Sequence, residues 1–398
     1  MASFRGIGCM SGSSLDGLDI CLVEFTGDKD TDIWSYHVLE SETIKYDKSL
    51  EDRLRHAATM TAEDFIKLHI DYGHFIGQQV IDFLNAREIL SVDFAASHGH
   101  TILHQPNDGY TFQLGDGETT ASYFNFPFVS NFRTKDVALG GQGAPLVPGG
   151  EKHLFSPNDI CINLGGIANI GLKGEIGYDV CPCNYVMNRL AKLYDNNIEF
   201  DKDGEIAKQG QIIQEIFEQL EALPFYTQEP PKSIGAEWIE SYVLPKLDTT
   251  KYSTPDLMRT FVEHVAARLE TALKDSKRWL MENGSVSRRK LKVLVTGGGA
   301  FNTLLIEILK NKIKNSEFEL EEADNETICF KEALVFAFLG LRCLLGQENV
   351  LKAVTGGKCD SISGSIHRPM GSSFTLSKFD KFYFELRRHR SISCSSQS

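Results

Sequence analysis

At 398 residues, 42% of them hydrophobic, the chain is long enough for two domains and apolar enough for a core in each. A net charge of −13 argues against nucleic acid or an anionic membrane surface as a general partner. The nine cysteines include no CxxC pair of metal spacing, so they read as reduced thiols of a cytosolic protein. The N-terminus runs straight into a strand rather than a signal peptide, and no apolar run approaches the ~18 residues of a membrane span.

In chain order, Phe4 to Met10 and Leu18 to Phe25 read as strands rich in β-branched and aromatic residues. The glycine turn between them, Gly12-Ser13-Ser14-Leu15-Asp16-Gly17, can bring backbone N–H groups close to phosphate oxygens. Gly6-x-Gly8-x-x-Ser11 nearly matches a dinucleotide fingerprint, but a strand follows where that motif needs a helix. No Gly-Lys-Ser/Thr closes a Walker A loop. Residues 33–46 have mixed strand character. Thr61 is placed to cap a long helix to Arg87, with Leu68, Tyr72, Ile76, Val80 and Phe83 at helical spacing. Val92 to Ser97 reads as a short strand that ends in Ser97-His98-Gly99-His100-Thr101. Residues 110–129 alternate like strands around Leu114-Gly115-Asp116-Gly117, and residues 133–150 form a long glycine-rich loop.

About 150 residues on, the pattern repeats. Asp159 to Leu164 is a strand, Gly165-Gly166 a turn, and Ile167 to Leu172 the returning strand. Helices are expected at 184–195, 204–222 and 254–282. The strand Leu291 to Thr296 enters Gly297-Gly298-Gly299-Ala300-Phe301-Asn302, and a helix follows over Thr303 to Lys312. A last helix is expected over Lys331 to Leu345. The tail from Arg387 is basic, then serine-rich, with a disordered composition.

Two glycine hairpins in two halves, then strand–GGG–helix, is the order of phosphate-1, phosphate-2 and adenosine elements in the actin/Hsp70/sugar-kinase superfamily. More narrowly, Met10 to Gly17 resembles the MSGTSLDG of the anhydro-N-acetylmuramic acid kinases. Ser97 to Pro106, Phe132 to Pro148, Asn163 to Asn169, Gly297 to Asn302 and Lys331-Glu332-Ala333 continue that resemblance in order. It implies an α/β fold of two ribonuclease-H-like lobes around a nucleotide cleft. The expected lobes are 1–132 with about 347–386, and 133–346, leaving 387–398 as the tail. It also implies a cytoplasmic enzyme of peptidoglycan recycling, compatible with a homodimer. With ATP, Mg²⁺ and water, such an enzyme opens 1,6-anhydro-N-acetylmuramic acid and phosphorylates O6. A kinase for another anhydro sugar such as levoglucosan is the first alternative. A catalytically silent nucleotide-gated protein is the second.

By the same resemblance, Asp179 aligns with the general base, the other reading being a cap on the helix that starts near Pro182. Val180-Cys181-Pro182-Cys183 departs from the family's Thr-Gly-Pro-Gly there. Nucleotide contacts are expected from Gly12, Ser13, Ser14, Leu15, Asp16, Gly17, Leu18 and Asp19, from Gly165 and Gly166, and from Gly297, Gly298, Gly299 and Asn302. Asp16 either holds Mg²⁺ or bonds to its own turn. Sugar contacts are expected from His98, Gln105, Arg133, Asn184 and Glu332. Arg133 pairs bidentately with a lactyl carboxylate or forms an ion pair. Glu332 opens a helix and meets the sugar or the helix dipole. His98, His100 and His104 invite a zinc reading, but no cysteine or carboxylate cluster completes it.

Overall fold

The structure, a computed structural model, describes residues 2–12, 15–28, 32–230, 232–284, 290–369 and 379. The chain divides into two compact units, Met1–Ser156 with Phe330–Ser398, and Pro157–Cys329.

In the first unit the strands are β1 (Ala2–Ser11), β2 (Leu18–Gly27), β3 (Trp34–Ile44), β4 (Phe94–Gln105), β5 (Tyr110–Leu114) and β6 (Phe128–Ser130). The helices are α1 (Lys48–His56), α2 (Ala62–Ala86), α3 (Gly117–Ala121), α4 (Thr134–Ala138) and α5 (Val147–Leu154). The sheet runs β3-β2-β1-β4-β6, with a short strand at Ser365–His367 beyond β6 and β5 paired to β4. β1, β2 and β3 are antiparallel to one another, whereas β4 is parallel to β1 and β6 to β4. Thr61 caps α2 as expected, its Oγ1 accepting from Asp64 N at 3.2 Å. The buried stripe Leu68, Tyr72, Ile76, Val80 and Phe83 then packs on Ile7, Cys9, Ile20 and Leu22 of the sheet. Each large side chain so buried contributes about 1.5–3 kcal/mol.

The second unit has β7 (Ile160–Leu164), β8 (Ile167–Leu172), β9 (Ile176–Pro182), β10 (Leu291–Thr296) and β11 (Phe318–Glu322). Its helices are α6 (Asn184–Tyr194), α7 (Gln214–Glu221), α8 (Ala236–Tyr242), α9 (Thr254–Glu282) and α10 (Thr303–Ile313), and α11 (Asn325–Leu344) begins in it. The sheet order is β9-β8-β7-β10-β11. The first three strands are antiparallel and the last two parallel, so the second unit repeats the strand order of the first. This is the ribonuclease-H-like sheet in duplicate, and the α/β fold class expected from the sequence is what the chain adopts. Its core joins Ile160, Ile162 and Ile170 to Leu257, Phe261, Val265 and Leu269 of α9.

Several local expectations are corrected. β4 does not stop at Ser97 but runs to Gln105, because β5 pairs along it from His100 to Gln105. Residues 110–129 are not all strand: Asp116 Oδ2 accepts from Thr119 N at 2.7 Å and starts a helical turn. The loop expected over 133–150 contains α4 and the start of α5. Gly149 and Gly150 disguise that helix, yet they let it pack against Asn349 and Val335. The helix expected over 204–222 is shortened to Gln214–Glu221, since Asp203 takes a φ of 56° and Asp201 accepts from Ile206 and Ala207 N–H groups. α11 starts at Asn325, not Lys331, with Asp324 Oδ1 accepting from Thr327 N at 2.7 Å. The unit boundaries fall at 156/157 and 329/330 rather than near 133 and 346. Residues 133–156 bond within the first unit, as Arg133 to His98 and Thr355 to Asp136 show. Residues 387–398 lie outside the described residues.

Candidate active site

The first unit supplies a turn, a set of carboxylates and a guanidinium. Ser13 and Ser14 lie outside the described residues. Around them the turn is tight: Leu15 has a φ of 62°, and its N–H donates to Gly12 O at 3.3 Å. Gly17 has a φ of 152°, and a Cβ there would come 2.4 Å from Ile44 O. Leu18 starts β2 with its side chain fully buried, so only its backbone faces the turn. Asp16 is exposed. Asp19 accepts from Thr43 Oγ1 at 2.6 Å. Burial pushes the Asp19 carboxyl up to about 6, against the Thr43 hydrogen bond and with help from the charges of Glu332 and Asp16.

Glu332 stands more than a turn inside α11, so it does not open that helix or serve its N-terminal dipole. Burial also raises its carboxyl, opposed by Lys331 and Arg133. Arg133 lies just before α4. Its Nε donates to His98 Nε2 at 2.8 Å and its Nη1 to Gly143 O at 2.5 Å. His98 therefore accepts at Nε2, and its Nδ1–H donates to Gly99 O at 2.9 Å. That bonding requires a neutral ring, in keeping with a pKa held well below 6.5 by burial and by Arg133. Two donors of the guanidinium are thus anchored while Nη2 takes no hydrogen bond among the described residues. Gln105 ends β4, exposed, without a side-chain hydrogen bond among those residues.

Two supports have no signature in the sequence. Tyr46 OH donates to Ser11 Oγ at 2.6 Å and stands 2.7 Å from Tyr72 OH, while Ser11 Oγ lies 2.8 Å from His100 Nδ1. This chain ties the end of β1, where the turn begins, to the segment after β3, to α2 and to β4. Asp136, fully buried, accepts from Gly143 N at 2.7 Å and from Thr355 Oγ1 at 2.7 Å, and so fixes the carbonyl that holds Arg133. His104 Nδ1 meets Thr111 Oγ1 at 3.0 Å, so each of the three histidines has a protein partner.

The second unit supplies the other two glycine motifs and Asp179. The β7–β8 turn is tied to α6, with Gly166 O accepting from Cys183 N and Gly165 O from Asn184 N. At Gly165 and Gly166 a Cβ would meet no protein atom nearer than 3.4 Å. The protein's own packing therefore does not demand glycine there, whereas close approach of a ligand would. Gly297 and Gly299 differ: a Cβ would come 2.6 Å from Asn163 Oδ1 and 2.7 Å from Leu164 Cβ, so packing accounts for both. Gly298, with 3.7 Å to Asn184 Nδ2, is the open one. Asn184 donates to Leu164 O at 2.8 Å and so joins the turn to the glycine triplet. Asn302 caps α10, accepting from Leu305 N at 3.1 Å.

Asp179 lies within β9, beside a register shift opposite Ala168 and Asn169. Its N–H donates to Lys232 O at 3.0 Å, and its Oδ2 accepts from Ile234 N at 3.0 Å. The carboxylate thus bonds to the Lys232–Ile234 segment and does not cap α6, which starts at Asn184. Burial pushes it up to about 6, with the Ile234 bond opposing. Val180, Cys181 and Cys183 are buried in the core, and burial raises both thiols. The Lys232–Ile234 contact escaped the sequence reading because it is made by backbone groups.

The chain matches, over residues 4–369, the family described as anhydro-N-acetylmuramic acid kinase. It is 32% identical over 365 residues to the protein of that name from Vibrio vulnificus, covering 88% of this chain and 94% of the relative. It is 30% identical over 386 residues to one from Acinetobacter baylyi, covering 90% and 98%. A third, from Francisella tularensis subsp. novicida, is 32% identical over 388 residues, covering 91% and 98%.

Proposed function

The chain belongs to the anhydro-N-acetylmuramic acid kinase family, and from that premise we propose how its residues divide the work. It is a sugar kinase that uses ATP. The substrate is 1,6-anhydro-N-acetylmuramic acid. Asp179 takes a proton from water as the oxygen attacks C1. The C1–O6 bond breaks, and O6 takes the γ-phosphoryl group as ADP leaves. A carboxylate raised to about 6 is ionised at neutral pH yet more basic than an ordinary aspartate, as a general base requires. The placement of that carboxylate carries the reading: it lies within β9 beside the register shift and is held by Ile234 N.

The remaining residues bind and orient. Gly165, Gly166 and Gly298 leave room for phosphates and adenosine. Gly297, Gly299 and Asn302 shape that surface, and Asn184 joins its parts. The Gly12–Asp19 motif of the first unit is assigned to the other phosphate-binding turn, with Gly12, Leu15, Asp16, Gly17, Leu18 and Asp19 its described members. Arg133, its planar fork fixed by His98 and Gly143, presents Nη2 to the lactyl carboxylate. Glu332 and Gln105 meet sugar hydroxyls. An exposed Asp16 beside the crowded Asp19 and Glu332 fits Mg²⁺, which takes one or two carboxylates and completes its shell with water and phosphate oxygens. When bound, the ion neutralises charge developing on the transferred phosphoryl group.

The buried Val180, Cys181 and Cys183 face the core, so their departure from the family pattern leaves the Asp179 carboxylate's bonding intact. We place the reaction in the cytoplasm on its cysteines, which are free thiols among the described residues. No described helix is long and apolar enough to cross a membrane. A homodimer is the assembly to test by sedimentation. The deciding experiment is coupled ADP release over a panel of anhydro sugars. Turnover of the muramic sugar well above that of levoglucosan is expected, and turnover of levoglucosan alone would overturn the assignment.

A further inference from the structure

The second unit contains a cavity of about 560 Å³ that the proposed reaction does not use. One wall is β9. Side chains alternate along a strand, and here Tyr178 and Val180 line the cavity while Asp179 does not. β9 is also the outermost strand of its sheet, with β8 and β7 between it and the glycine triplet after β10. The opposite wall is the C-terminal half of α9, and Tyr226 to Pro230, with Lys232, close the side.

Its polar groups are unsatisfied in one sense. Arg268 Nε is buried without a hydrogen-bond partner among the described residues, although the far end of the guanidinium pairs with Glu221. Ser276, 2% exposed, lines the cavity beside Tyr178, whose hydroxyl it meets. Lys232 Nζ has one long bond, 3.3 Å to Phe225 O, and lies over the Tyr178 and Phe225 rings. Buried donors left without acceptors are rare in native proteins, and a bound acceptor is the usual explanation. Lys232, Arg268 and Arg278 line it as cations against the carboxylates of Glu229, Asp275 and Glu282, and an acid group on a ligand would draw on Lys232 and Arg268. Around them, Tyr226 and Trp279 offer ring faces, and Glu229 and Asp275 are carboxylates able to accept from hydroxyls.

We propose that this cavity is a second ligand site, for a hydroxylated ring bearing one acid group, carboxylate or phosphate, and that its occupancy is felt at Asp179. The link is short. Lys232 lines the cavity with its side chain and accepts from Asp179 N with its carbonyl, and two residues on Ile234 N donates to the Asp179 carboxylate. A ligand that draws on Lys232 moves the segment holding the base. This coupling rests on the reading of Asp179 as the base; the binding does not.

Titration calorimetry on the full chain with N-acetylmuramic acid, glucose 6-phosphate and glucose tests the site. Binding of one or both acids, but not of glucose, is expected, and the acid that binds identifies the charged group. Lys232→Met removes a charge-assisted partner and should weaken binding by about ten- to a hundredfold. Thr271 is exposed on α9 at the cavity, so Thr271→Trp should block it without disturbing the core. No heat from either acid, binding of glucose as tight as of the acids, or unchanged binding in both variants would overturn the site. Coupling is read from kcat against pH at saturating substrate: the bound acid should shift the acidic limb in the parent protein and leave it fixed in Thr271→Trp. An unmoved limb in the parent overturns the coupling. A protein that binds the acid yet turns over no anhydro sugar would instead sink the assigned reaction and leave the site standing.

Discussion

Replacing Asp179 with asparagine should cost the enzyme its turnover and make the protein more stable. The carboxyl's ordinary value of 3.8 is pushed up to about 6 in the fold, mainly by burial. A raised acid pKa means that ionising the group opposes folding. Between pH 4 and 6 the folded chain holds a proton that the unfolded chain has released, so stability falls as pH rises through that window. Above pH 6 both states are ionised and the full penalty persists. A shift of about two units corresponds to roughly 2–3 kcal/mol. Asparagine keeps the shape, and its Oδ1 can still accept from Ile234 N, but it carries no charge. For a unit of this size each kcal/mol moves Tm by about 2–4 °C, so the variant should melt roughly 4–12 °C higher at pH 7.5. The gain should vanish below pH 4. Calorimetric melting of both proteins from pH 4 to 8 measures it, and Asp19, raised alike in both, cancels in the difference. The variant should still bind ATP while kcat falls at least 10²–10⁴-fold, roughly the contribution of a general base. A variant no more stable than the parent at pH 7.5 would show that Asp179 carries no buried charge, and a kcat loss under about tenfold would place the base elsewhere.

Arg133→Ala should raise KM for the muramic sugar about ten- to a hundredfold and much less for an anhydro sugar lacking the lactyl group; equal effects on both would assign Arg133 to structure. Asp16→Asn should raise the Mg²⁺ concentration needed for half-maximal rate several-fold while leaving Tm unchanged, since Asp16 is exposed. Lys331 and Glu151 form an ion pair with both side chains buried, 2% and 7% exposed. Lys331→Met strands a buried carboxylate and should cost about 3–5 kcal/mol in urea melts, and adding Glu151→Gln should recover much of that loss. Recovery absent in the double variant would mean that the methionine's shape, not the lost charge, causes the damage.

Elements whose information is local were legible in the chain. α2 begins where Thr61 caps it and follows its apolar stripe, and β8 and β10 fall on the expected residues because β-branched runs bounded by glycine have one sensible reading. The duplicated strand–turn–strand pattern, legible at Gly12–Gly17 and Gly165–Gly166, foretold the duplicated sheet. Tertiary structure decided what depends on distant partners. β4 continues through His98-Gly99-His100 because β5 pairs with it, and no local pattern encodes a partner strand. α5 carries Gly149 and Gly150 because Asn349 and Val335 lie against them, and packing there overrides helix propensity. The same division holds at the site. The residue types Asp179 and Arg133 could be read in the chain. What holds them could not: backbone groups of Lys232 and Ile234 for the one, and His98, Gly143 and the buried Asp136 for the other. Hydrogen bonds to backbone atoms leave no signature in side-chain sequence, and burial, which sets the acidity of Asp179 and Asp19, exists only once the chain has folded.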